Sequence, residues 1–119
     1  MKSYGFTINF KDDESRLKYE ERHRNVWQEV KHAFEEMGIK SMQLFHMPPL
    51  KLFMYIEAED KLVVERDFKE YVKIGPKVKE WDDVCGGLLN RLESNKGITE
   101  WLMMEKIYAY DSFEWRLLA

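Results

Sequence analysis

The sequence predicts an α+β fold of βαββαβ order, in which a four-stranded antiparallel sheet carries helices on one face. Three observations predict it. Residues 4–10 alternate apolar and polar side chains, the next segment repeats apolar residues every three or four positions, and a proline pair separates two further strand-like segments. Strands and helices in this order bury one sheet face beneath the helices. The 119 residues suffice for a single domain, so 1–119 is predicted to be one unit.

The first two elements follow directly from the pattern. A strand is predicted from Tyr4 to Phe10, and Asp12 then offers a carboxylate to the free amides of a helix start. One uninterrupted helix is predicted over residues 14–37, ending at Gly38, where a left-handed stop costs least. Its apolar stripe, which should face the core, comprises Tyr19, His23, Val26, Trp27, Val30, Ala33, Phe34 and Met37.

The remaining elements are an antiparallel hairpin, two helical pieces and a last strand. Residues 40–46 and 50–57 should form the hairpin around the turn at Pro48-Pro49. Residues 58–90 read as mostly helical and are divided at Gly75-Pro76, and residues 101–108, apolar on both faces, predict a well-covered strand. The tail, 110–119, is expected to contact a second subunit of a homodimer through Phe113, Trp115, Leu117 and Leu118. The alternative is that it folds back onto its own domain.

Composition excludes several classes of protein. The chain is 45% hydrophobic and 14% aromatic, which argues against disorder. A net charge of −3 disfavours nucleic-acid binding, and no apolar stretch predicts a membrane span or signal peptide. The lone cysteine, Cys85, excludes an intrachain disulfide framework and a multi-cysteine zinc site, and it fits a cytoplasmic location. Cys85 itself is interpreted as a core residue.

His23 is the unusual residue, because it lies on the apolar stripe with Tyr19 one turn before it. One interpretation is a buried pair that is bonded internally or to the backbone. The other is a pocket between helix and sheet, into which an imidazole that titrates near neutrality points. The other histidines offer less: His32 is expected to be solvated, and His46 is interpreted as a turn residue. No metal site is predicted.

Trp81 carries a second signal, since it begins the inward stripe of the later helix between Glu80 and Asp82. An aromatic face packs well on the C–H surface of a sugar while neighbouring polar groups bind hydroxyls. A core tryptophan with two solvated acids explains the same pattern. The sequence alone leaves both interpretations open.

The segment Tyr19–Trp27 resembles the first-helix signature of the L-rhamnose mutarotase family. In that signature a tyrosine is followed four residues later by a histidine that arginine precedes, and then by a tryptophan after four more. The resemblance extends over residues 3–109 and includes Leu52–Glu57 and a tryptophan in the later helix. It implies a ferredoxin-like dimeric α/β barrel that interconverts the anomers of L-rhamnose without a cofactor.

The resemblance also implies roles for individual residues. His23 would be the catalytic proton donor, Tyr19 would bind the sugar, and Trp81 would stand in for a tandem pair of sugar-binding tryptophans. Met42 falls near a position where the family has a sugar-contacting tyrosine, and Asn25 replaces a usual proline. Because of these departures the sugar remains open between L-rhamnose and a related 6-deoxy sugar such as L-fucose.

The implied chemistry needs one acid and one base. A pyranose opens when its ring oxygen gains a proton and its anomeric hydroxyl loses one, and it recloses on either face of the carbonyl. His23 is expected to deliver the proton to the ring oxygen. Bound water, Tyr19 and Glu80 are candidates for removing the anomeric proton.

Two rival functions remain at this stage. A cofactor-free monooxygenase of the dimeric α/β barrel class would need a planar aromatic substrate, and its pocket should lack paired polar groups such as His23 and Tyr19. A small non-catalytic ligand-binding module would bind sugar without accelerating anomer exchange. Function is decided by the site, so the fold alone does not separate these readings.

Overall fold

The structure, a computed structural model, describes residues 1–90 and 101–110. Its strands form one antiparallel sheet in the order β2-β3-β1, with β4 and β5 both beside β1. Because β4 pairs with Asn9 and Phe10 while β5 pairs with 5–7, the two short strands share one edge of β1. Within these described residues the sheet is therefore four strands wide, as predicted. The strands are β1 (Lys2–Phe10), β2 (Ile39–Met47), β3 (Lys51–Ala58), β4 (Leu89–Asn90) and β5 (Leu102–Met104).

The helices within the described residues are α1 (Asp13–Arg22), α2 (Gln28–Met37), α3 (Val64–Glu70) and α4 (Pro76–Gly86), with a 3₁₀ turn at Tyr71–Lys73. The predicted α+β fold is confirmed. So are the hairpin of β2 and β3, the division at Gly75-Pro76 and the cap at Asp12, whose Oδ1 accepts a hydrogen bond from the Ser15 amide at 2.7 Å. The helices cover the apolar face of the sheet, to which Phe6, Ile8 and Phe10 of β1 contribute. The largest fully buried side chains are Phe6, Phe10, Ile8, Ile56, Leu62, Val30 and Val78.

The prediction of one helix over 14–37 is wrong, because the chain leaves the helix after Arg22 and resumes it at Gln28. The amides of Arg24 and Asn25 bond to carbonyls only three residues back, each at 3.2 Å, so the last turn tightens. Trp27 is extended, with φ −63° and ψ 145°. Trp27 therefore does not sit one helical turn above His23.

Two expectations at the carboxyl-terminal end are also wrong. The prediction of a mostly helical region over 58–90 fails at its end, because Leu89 pairs with Phe10 as part of β4. The strand predicted over 101–108 is limited to Leu102–Met104, and Ile107 and Tyr108 are 90% and 78% exposed. An apolar pattern indicates that side chains are buried, but it does not distinguish burial within the same chain from burial against a second chain. Residues 111–119, which include the predicted contact tail, lie outside the described residues.

Candidate active site

His23 ends α1 and holds its imidazole by a main-chain bond. Its ring Nδ1 lies 2.8 Å from the carbonyl oxygen of Tyr19, one turn earlier. A carbonyl oxygen only accepts, so Nδ1 carries the hydrogen and donates it. In the uncharged ring Nε2 then carries the lone pair and is the atom able to accept a proton.

The Tyr19 ring stacks on that imidazole. The two ring centroids are 4.2 Å apart and the planes are inclined by 25°. Tyr19 is 5% exposed, and its ring also contacts Phe10 of β1 edge-on at 5.3 Å. The contact with Phe10 thus holds the Tyr19 ring against the sheet, and the stacked Tyr19 ring restricts the orientation of the imidazole plane. The i, i+4 spacing predicted this pair, because both residues lie at the end of the same helix.

Trp81 approaches His23 from α4. Its ring centroid lies 5.2 Å from that of the imidazole, with the planes at 68°, and it is buried to 5% exposure. Val78 and Cys85 share the buried face of the same helix. Trp27 contacts Trp81 edge-on at 5.3 Å. Tyr19 and Trp81 therefore contact the His23 ring directly, and Trp27 contacts Trp81. The three aromatic residues come from three different parts of the chain.

Arg22 is the residue of this cluster that the sequence analysis did not single out. Its guanidinium carbon lies 5.6 Å from the ring centroids of both Trp27 and Trp81. Within the described residues its Nε is buried and has no hydrogen-bond partner. Lys77 places its Nζ 5.1 Å from the Trp27 ring, so two cations border the indoles. The available signal was its place in the first-helix signature, in which an arginine directly precedes the histidine.

Burial lowers the pKa of His23 below its ordinary value. The bond to the Tyr19 carbonyl opposes this shift, while the positive charge of Arg22 adds to it. The ring is consequently uncharged at neutral pH. An uncharged imidazole with one nitrogen held by a carbonyl can act as a base at the other nitrogen.

The structure does not bring every predicted residue to this cluster. Met42 packs with the core group around Phe6 and Ile56, whereas Tyr19 and Trp81 belong to the neighbouring group. Glu80 has a half-exposed side chain whose carboxylate lies 3.6 Å from Nζ of Lys77.

The other two histidines lie apart from the His23 ring. His46 lies within β2 opposite Leu52, so its interpretation as a turn residue is wrong, although its Nε2 donates to the Pro49 carbonyl of the following turn at 3.0 Å. It also contacts Phe10 edge-on at 6.0 Å. The His32 side chain is 72% exposed, as expected.

In residues 1–90 and 101–110, no group of three or more His, Cys, Asp or Glu side chains is arranged to hold a metal ion. Over the same stretch no helix has the length and apolar character needed to cross a membrane.

Comparison with known proteins gives one family. A sequence model described as L-rhamnose mutarotase matches residues 3–110. A curated UPF0734 protein of Dictyostelium discoideum is 32% identical over 117 residues, covering 95% of this chain and 93% of its own.

Two solved structures share the fold. An L-rhamnose mutarotase from Formosa agariphila superposes with a TM-score of 0.67 at 17% identity, covering 93% of this chain and all of its own. Tetracenomycin F2 cyclase from Streptomyces glaucescens, a type-II polyketide cyclase, reaches a TM-score of 0.64 at 16% identity, covering 94% of this chain and 99% of its own. At these identities the likeness concerns the fold, which serves two different chemistries.

Proposed function

Because the chain belongs to the L-rhamnose mutarotase family, we propose that it interconverts the anomers of L-rhamnose or of a related 6-deoxy sugar such as L-fucose. The observation that carries the proposal is the state of His23. Its Nδ1 is held by the Tyr19 carbonyl at 2.8 Å, and its pKa is lowered by burial, so Nε2 is a base at neutral pH. Anomer exchange needs a group that takes up and returns a proton.

One imidazole can carry that proton through the whole cycle. Nε2 takes the proton of the anomeric hydroxyl, the bond between the anomeric carbon and the ring oxygen breaks, and a carbonyl forms. The ring oxygen, which leaves with the electron pair, takes the proton back from Nε2. Rotation of the carbonyl and the reverse steps give the other anomer. In this proposal His23 is both the base and the predicted proton donor, so no separate base is needed.

The neighbouring residues would position the sugar. Tyr19 stacks on the imidazole and is expected to orient a hydroxyl, and Trp81 is expected to offer part of its indole to the sugar face. Glu80 is the weaker candidate for proton removal, because its side chain is 54% exposed and lies near Lys77. Met42 lies in the adjoining core group, so a direct sugar contact there would need a ligand that extends along β2.

We also propose a homodimer in the cytoplasm. The apolar side chains Ile107, Tyr108 and Tyr110 are 90%, 78% and 77% exposed at the end of the described chain. Exposed apolar residues that follow one another in this way are typical of a subunit contact. Sedimentation at micromolar concentration should give twice the mass of one chain, and a monomer would contradict the proposal.

Anomer exchange measured by NMR tests the catalytic proposal. Purified protein is added to freshly dissolved α-L-rhamnose, and the approach to anomeric equilibrium is compared with the spontaneous rate. The same assay over L-fucose and ordinary hexoses gives the preferred sugar. Saturable binding without faster exchange would favour the non-catalytic ligand-binding module instead.

A matched pair of histidine variants assigns the proton transfer. His23→Gln should reduce the enzymatic rate by about 10²-fold or more, because positioned proton transfer typically contributes ~10²–10⁴-fold. His32→Gln is the control, since that side chain is 72% exposed and away from the cluster. Unaccelerated exchange with every sugar, or full activity in His23→Gln, would refute the proposal.

A further inference from the structure

We infer that the guanidinium of Arg22 binds the anomeric oxygen of the substrate and stabilises the negative charge that this oxygen acquires when His23 removes its proton. This rests on the proposed function. The inference starts from an unsatisfied donor. Arg22 Nε is buried and has no hydrogen-bond partner within the described residues. A buried donor left unpaired costs about 1–3 kcal/mol, and more when the group is charged.

The other arginines of the described chain show the contrast. Arg16 donates to Asp13 at 2.7 Å and to Glu20 at 3.1 Å, and Arg66 donates to Asp67 at 2.8 Å. Arg24 is exposed. Arg22 alone among them combines a buried donor with the absence of an ion pair to any described carboxylate. A positive charge kept in this way is available to an incoming oxygen.

The surroundings of Arg22 hold the cation without neutralising it. Its guanidinium carbon lies 5.6 Å from the ring centroids of both Trp27 and Trp81, and the Trp81 ring in turn lies 5.2 Å from the His23 ring. Indole faces attract a cation but accept no strong hydrogen bond from it. The five N–H groups of a guanidinium form a fixed fork suited to oxygen atoms. The guanidinium and the imidazole therefore contact the same Trp81 ring, and the charge of Arg22 reaches His23 strongly enough to lower its pKa.

The chemistry of the proposed step requires such a group. When the proton passes to Nε2 of His23, negative charge develops first on the anomeric oxygen and then on the ring oxygen as the bond between carbon and ring oxygen breaks. In a site that excludes water, a hydrogen-bond donor that already points at the developing charge lowers the activation free energy substantially. The charge of Arg22 also lowers the pKa of His23, which keeps the imidazole ready to accept the proton.

Access to Nε requires one indole to move, because Nε is closed to water in the free chain. Trp81 is 5% exposed and lies within α4. Trp27 is partly exposed and lies in the break between α1 and α2, with no side-chain cap bond. Displacement of Trp27 by the sugar would therefore open the guanidinium.

Three variants in the anomer-exchange assay test the inference. Arg22→Gln should lower kcat by about 100-fold with a smaller change in KM, as loss of an oxyanion donor does. Arg22→Lys keeps the charge but loses the fork, so it should recover about tenfold of that loss. Arg24→Gln, an exposed neighbour in the same break, should stay within about twofold of the unsubstituted protein.

The pH profile separates this role from a structural one. The acidic limb of kcat/KM reports the protonation of His23 in the free protein. Removing the Arg22 charge in Arg22→Gln should raise the pKa of His23 and move that limb to higher pH. Arg22→Lys keeps the charge and should leave the limb in place, whereas loss of packing would expose the imidazole and move the limb in both variants. Thermal unfolding shows whether Arg22→Gln folds, and Arg22→Lys carries the test if it does not.

The outcomes are distinguishable. If the unsubstituted protein does not accelerate exchange, the proposed function fails and this inference falls with it. The role of Arg22 is overturned, while the proposed function stands, if the unsubstituted protein is active and one of three results is found for Arg22→Gln. These are an unchanged kcat, a change confined to a higher KM, or an acidic limb at its original pH. A lowered kcat with a shifted limb supports both.

Discussion

Replacing Trp81 by leucine tests whether this indole organises the candidate site. Leucine keeps an apolar body on the buried face of α4 but removes the edge-on contacts with His23 and Trp27, worth about 0.5–1.5 kcal/mol each. It also removes one of the two ring contacts of Arg22, worth about 0.5–1 kcal/mol. Together these contacts contribute roughly 1.5–4 kcal/mol to the free energy of unfolding, and the smaller leucine adds the loss of buried apolar area. The melting temperature should fall by roughly 4 °C for each kcal/mol lost.

Urea unfolding followed by far-ultraviolet circular dichroism measures this loss without depending on indole fluorescence. Trp27→Leu is the matched control, because Trp27 is only partly buried and should be cheaper to remove. Where both variants remain folded, Trp81→Leu should also slow anomer exchange. A stability within about 0.5 kcal/mol of the unsubstituted protein, the usual range for a surface change, would refute the reasoning. So would a larger loss in Trp27→Leu.

Three further predictions concern stability. Gly38→Ala should cost about 1–2 kcal/mol in thermal unfolding because φ is +88°, whereas Gly75→Ala, at φ −174° and with no atom within 4 Å of the added Cβ, should cost less; equal losses would contradict this. Burial lowers the pKa of His23 in the folded state, so the unfolded state binds more protons. The free energy of unfolding should therefore decline as the pH falls from the ordinary histidine pKa through the lowered one. The decline should be less steep in His23→Gln. Parallel curves would count against it. Tyr71→Phe removes the hydrogen bond donated to Oδ1 of Asp82 and should cost about 1 kcal/mol in urea unfolding, and no measurable change would show that the bond contributes nothing.

The strands and caps were predictable because each depends on local chemistry. Alternation in 4–10 placed Phe6 and Ile8 toward the core, and both are at most 1% exposed. Gly38 was predicted as a left-handed helix stop and adopts φ 88°. Such features need no knowledge of distant residues.

The break between α1 and α2 was not predictable from spacing. The stripe from Tyr19 to Met37 keeps helical periodicity across residues 23–27, since both helices bury the same side. What interrupts it is a competition for hydrogen bonds, in which the amides after His23 turn to carbonyls three residues back. Periodicity records which residues are buried and is insensitive to a short interruption.

The candidate site was predictable only in part. The i, i+4 spacing brought Tyr19 to His23, and the inward stripe of α4 brought Trp81 into the core. Their meeting depends on how α4 packs against the end of α1, which no local pattern encodes. Arg22 escaped notice for the same reason, because its significance lies in two indoles that are distant from each other in the chain.

The acceptor that orients His23 belongs to the main chain. Every residue carries a main-chain carbonyl, so replacing the tyrosine side chain at position 19 would leave the carbonyl and its 2.8 Å bond in place. The orientation that leaves Nε2 as the accepting nitrogen is thus independent of which side chain stands at position 19. Tyr19→Phe would test the hydroxyl alone, and only a change that unwinds the end of α1 would let the imidazole turn over.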